Sequence, residues 1–98
     1  MCTSIVEIVA VEGAAKNGEA WFPATQAVVA YDHPRHALHD DGVAIDFFNA
    51  AEGAGVRAAV ELTLDSAKAL RDALDRVIEA AEIEEGLRPA PEAVRQAA

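Results

Sequence analysis

Ninety-eight residues, 52% apolar but only 5% aromatic, are enough for one domain with a modest core of Ile, Val and Leu, and no apolar run approaches membrane-spanning length. The net charge of −9, from 17 acidic and 8 basic side chains, repels phosphate backbones and anionic lipid and leaves no basic stripe, so nucleic acid and membrane are not expected as partners. One cysteine cannot form an intrachain disulfide, and the N-terminus lacks the basic segment and apolar stretch of a secretory signal; both point to a reducing cytoplasm.

Residues 3–11 (TSIVEIVAV) form a β-branched run with apolar side chains on both alternating faces, the pattern of a strand buried on two sides. Glu7 breaks it and needs a partner, a pocket edge or a solvated patch. Residues 12–19 are turn-rich, with Gly13 and Asn17-Gly18 supplying backbone freedom, so a hairpin-like return is expected there. A second strand begins at Trp21-Phe22-Pro23, with Pro23 near its start or at a bulge, and continues from Gln26 to Tyr31. After residues 32–41, Gly42 allows a turn and residues 43–49 form a third strand. A glycine-rich connection follows, and residues 56–64 make the cleanest strand, with Val56, Ala58, Val60, Leu62 and Leu64 on one face.

The apolar period then changes from two to about 3.6. Asp65 or Ser66 is expected to cap a helix whose stripe is Ala67, Leu70, Leu74, Val77, Ile78 and Ala81, with Gly86 as its terminator. Four strands and one helix predict an α+β fold: a four-stranded, mostly antiparallel sheet with one C-terminal helix packed on one face. Residues 1–86 form the single domain and 87–98 a C-terminal tail. One helix cannot cover both faces, and Val6, Ile8, Ala44 and Phe48 make the second face apolar as well. A homodimer is expected to cover it.

All three histidines of the chain, His33, His36 and His39, fall in one stretch with Asp32, Asp40 and Asp41. Imidazole is the commonest metal ligand, and Pro34 favours a shaped loop over a continuing helix. The spacing points to a divalent transition metal, zinc or iron first, with manganese also compatible. His33 and His36 are the firmer ligands, and His39 or Asp41 completes the set. Three protein ligands would leave a position for water or a small-molecule ligand. Glu7, Lys16 and Tyr31 are the candidate acids and bases. The competing reading is a solvated polar loop whose histidines and aspartates cap turns and pair with each other. Cys2 could be a nucleophile with its own amine as base once Met1 is removed, a soft fourth ligand, or a small buried hydrophobe.

With Met1-Cys2-Thr3, Glu12-Gly13, Ala15-Lys16, Trp21-Phe22-Pro23, Tyr31-Asp32-His33-Pro34, His36-Ala37, Ile45-Asp46-Phe47, Ala59-Val60-Glu61-Leu62 and Ser66-Ala67, the chain resembles a family of short bacterial proteins of unknown function. The resemblance runs from Met1 to the helix, and Asp-His-Pro-x-His-Ala is its most specific part. Members carry a Glu-His pair shortly after that core, where this chain has Asp40-Asp41 with His39 nearby. The resemblance implies that these positions matter and brings no activity with it. The residues themselves predict a small metal-binding protein, with metal-assisted hydrolase, lyase, isomerase or oxygenase chemistry on a small molecule as its catalytic form. The alternatives are a non-catalytic dimeric interaction or ligand-binding module, and an enzyme with Cys2 as nucleophile.

Overall fold

The computed structural model describes residues 5–34, 36, 41–53 and 55–87. The chain divides into two compact units, Met1–Ala67 and Lys68–Ala98. The first is a sheet of β1 (Val6–Asn17), β2 (Ala20–Asp32), β3 (Gly42–Phe48) and β4 (Arg57–Leu62), and the helix α1 spans Leu64–Gly86. The strands lie in the order β1-β2-β3-β4, each antiparallel to the next, as short connections between consecutive strands favour. Among the described residues, no helix is long and apolar enough to cross a membrane.

β1 is longer than its sequence suggests. It runs on through Gly13 to Asn17, and the turn is confined to Gly18-Glu19, with Gly18 at a positive φ of 64°. The register explains the difference. Ala10 pairs with Gln26 but Gly13 with Ala24, so β1 carries one residue more than β2 across this interval. Such a bulge reverses the parity of every later side chain, which makes one strand read as a strand followed by a loop.

Pro23 pairs with Ala14 of β1 in a stretch of β2 that precedes its pairing with β3, which begins at Gln26 opposite Phe48. The position suits a residue that cannot donate to a ladder. Its carbonyl accepts a 2.9 Å hydrogen bond from Nδ2 of the buried Asn49, and Asn49 Oδ1 accepts the Ala51 amide at 2.8 Å. This side chain thereby ties the β3–β4 connection to β2.

Cross-strand rows define the faces of the sheet. Val6, Ala30, Ala44 and Glu61 form one row, and Ile8, Val28, Asp46 and Ala59 the next but one, on the same face. Between them, on the opposite face, lies the row of Glu7, Val29, Ile45 and Val60; Val9, Ala27, Phe47 and Ala58 form another on that side. Both faces are apolar, as the double alternation in the sequence requires. Among the described residues, only Phe22, Ala24 and Ala27 are buried apolar side chains, while Val6, Ile8, Val9 and Val60 stay exposed.

The helix begins at Leu64, two residues earlier than Asp65 and three earlier than Ser66 would allow as its cap. Thr63 is the cap: its Oγ1 accepts the Ser66 amide at 3.0 Å, and its carbonyl accepts the Ala67 amide at 2.9 Å. Gly86 is the last helical residue, without the positive φ of a left-handed terminator. No residue of α1 is buried.

Candidate metal centre

The antiparallel meander puts the 32–41 connection, the start of β1 and the end of β4 at the same end of the sheet. At the base of the connection Asp32 pairs with Gly42. Gly42 is needed here for space: a Cβ on it would stand 2.6 Å from the Leu62 carbonyl oxygen, and its φ is not positive. The close approach brings the connection beside β4, with Pro34 Cγ 3.8 Å from the same Cβ position.

Asp32 Oδ1 accepts the amide of His33 at 2.7 Å, which fixes the direction in which the chain leaves β2. His33 Nδ1 then faces Asp41 Oδ1 at 3.5 Å, linking the two ends of the connection. Three residues on, the amide of His36 donates to Glu61 Oε1 at 2.7 Å, and His36 Nδ1 lies 3.5 Å from the same oxygen. Glu61 belongs to β4, opposite Ala44 of β3, so the His36 amide is held by a side chain two strands away from β2. The Glu61 side chain is 21% exposed and that of His36 is 89% exposed. The anchor is therefore sheltered while the imidazole reaches into solvent.

Two of the sequence candidates are thus each set against a carboxylate. His39 and Asp40 lie outside the described residues, as does Cys2. Among the described residues, no three His, Cys, Asp or Glu side chains are grouped to hold a metal ion. Of the acid–base candidates, Glu7 pairs with Val29, two residues along β2 from Tyr31, and both are on the face opposite Glu61. Lys16 is not brought to this end: it pairs with Trp21 beside the Gly18-Glu19 turn, ten positions along β2 from Tyr31, or about 33 Å of strand.

A protein-family model for a family of unknown function, DUF6295, matches residues 1–87. The chain belongs to this family. No curated protein and no solved structure matches it. For this DUF6295 member the family match spans the sheet, the histidine connection and α1, and it carries no assigned chemistry.

Glu61 reads in the sequence as one of several possible acids, bases or charge partners and as part of the Ala59-Val60-Glu61-Leu62 match, but nothing there ties it to His36, because their proximity joins residues 25 positions apart. A second feature lies at the β1 bulge, where Val11, Glu12, Gly13, Ala14, Ala15, Ala24 and Phe47 line an open cleft of about 240 Å³. Its lining is almost wholly apolar, with Glu12 as the one charged group.

Proposed function

We propose that this protein is a homodimer that binds a divalent transition metal, zinc or iron(II) first, through Nε2 of His33 and of His36, with His39 as the third ligand. The observation that carries the reading is the paired orientation of the two imidazoles, each with Nδ1 turned to a carboxylate at 3.5 Å. A neutral histidine whose Nδ1 proton faces a carboxylate carries its lone pair on Nε2, and this is how outer-shell carboxylates prepare histidines for a metal. Asp41 and Glu61 are then orienting groups. That role suits Asp41 better than direct ligation, because its oxygen faces the ring nitrogen that does not coordinate. Three protein ligands keep a position for water or a small molecule.

Elemental analysis by plasma mass spectrometry of untagged protein purified without chelator tests this reading. Near-stoichiometric zinc, iron or manganese that is lost in the His33→Ala, His36→Ala double variant is the expected result. Protein that stays metal-free after reconstitution overturns it.

The homodimer follows from burial. A chain this small, with exposed apolar side chains on both sheet faces and so few buried ones among the described residues, gains most of its core by association. A second reading, a non-catalytic ligand-binding module, is favoured by the apolar cleft at the bulge. It predicts an apolar ligand displaced by Ala14→Trp, with metal content irrelevant.

A further inference from the structure

We infer that the β1–β2 hairpin is a self-association surface: Trp21 of one copy fills the cleft at the β1 bulge of a second copy, which returns the contact. The inference specifies the homodimer proposed above and is independent of metal. Its residues all belong to the unit Met1–Ala67, so the surface is defined without reference to α1. The first basis is a knob and a hole on one hairpin. From Gly13 to Ala24 the two strands pair only with each other, because β3 first meets β2 at Gln26. Trp21 lies in this arm and is 66% exposed, a large apolar ring left in water. The cleft, about 240 Å³ and lined by Val11, Ala14, Ala24 and Phe47 among others, has room for one indole ring. By register Trp21, Pro23, Ala27 and Phe47 share a face of the sheet, and Ala14 and Lys16 join them across the ladder. A surface that carries both knob and hole is self-complementary. A twofold axis fills both clefts at once and closes the assembly as a dimer.

The second basis is charge. Lys16 is the cross-strand partner of Trp21, so a cation travels with the ring. Glu12 is the one charged residue of the cleft lining. Both are exposed, and among the described residues neither has an ion-pair partner. With 17 acidic and 8 basic side chains, two copies repel unless a base of one is set against an acid of the other. Seating Trp21 in the second copy's cleft brings Lys16 toward that copy's Glu12, and the twofold axis repeats the pair.

The test uses full-length protein in chelator, so that metal binding does not enter. Trp21 is the one tryptophan of the chain, so its fluorescence reports this contact directly. Over a dilution series, sedimentation equilibrium should find a dimer, and Trp21 emission should move to the red at the concentration where the dimer dissociates. Trp21→Ala, and Ala14→Leu, which fills the hole, should each weaken the dimer by about tenfold or more. Lys16→Glu makes the chain more acidic and Glu12→Lys makes it less so; bulk repulsion alone would move the two variants in opposite directions. The pairing predicts that both weaken the dimer and that Lys16→Glu/Glu12→Lys together restore it. All four positions are exposed, and circular dichroism checks that each variant keeps its fold. A dimer that dissociates with no change in Trp21 emission and ignores these variants uses another surface; it overturns the inference and leaves the homodimer standing. A wild-type monomer overturns both.

Discussion

At the scale of single residues, the sites that matter most are those where no other side chain would serve. Gly42 is one: Gly42→Ala drives a methyl to within 2.6 Å of a backbone oxygen that cannot swing away, so it should destabilise the protein by about 2 kcal/mol and loosen the junction of β2, β3 and β4. Chemical denaturation at fixed protein concentration checks this, and Gly55→Ala, with nothing near its Cβ, is the control. Asn49 is another. Asn49→Ala leaves the Pro23 carbonyl and the Ala51 amide without their partner, and a loss of about 1–3 kcal/mol in the same experiment is expected. The histidines were legible because imidazole is rare and clustered. Gly42 was legible as a glycine beside a loop, but its reason was not, since the constraint comes from Leu62, twenty positions away. Glu61 was legible as a possible charge partner, but its tie to His36 was not, for the same cause. A chain without its pairing register cannot say which strand charge will meet which loop.

At the scale of elements, alternation and helical period located the four strands and α1, while the boundaries followed chemistry that is harder to read. β1 seemed to end near Val11 because a bulge shifts its parity there; restoring strict alternation should expose the cause. Deleting Glu12 should make the strand regular and close the cleft lined by Val11, Ala14 and Phe47, with Ala14, Ala15 and Lys16 still opposite Pro23, Phe22 and Trp21. Amide-exchange protection across 6–17 in register with 20–30 would report it. At the helix, Thr63, Asp65 and Ser66 all have capping side chains, and Thr63 is the cap because its hydroxyl accepts the Ser66 amide. Thr63→Ala should cost about 1 kcal/mol, whereas Ser66→Ala should cost little, read as thermal midpoints by circular dichroism. If Ser66→Ala is the more damaging, the cap is misassigned.

At the scale of the molecule, the apolar side chains exposed on both sheet faces are the surface that the proposed homodimer would cover. The protein's thermal midpoint should therefore rise with protein concentration, since a partner that binds only the folded chain stabilises it by mass action. A midpoint constant over two decades of concentration would be that of a monomer. The family match covers residues 1–87, and within them the described ends of the histidine connection are tied to one end of the sheet by Asp32, Gly42 and Glu61. The central claim is that this scaffold orients His33 and His36 to coordinate through Nε2. The most direct measurement is a long-range proton–nitrogen spectrum of the imidazoles, recorded on metal-free protein and again after one equivalent of zinc. The account predicts the Nδ1-protonated tautomer for both residues before zinc, and a large shift confined to their Nε2 resonances after it. Ring nitrogens that do not move with zinc, or shifts at Nδ1 in place of Nε2, would contradict it.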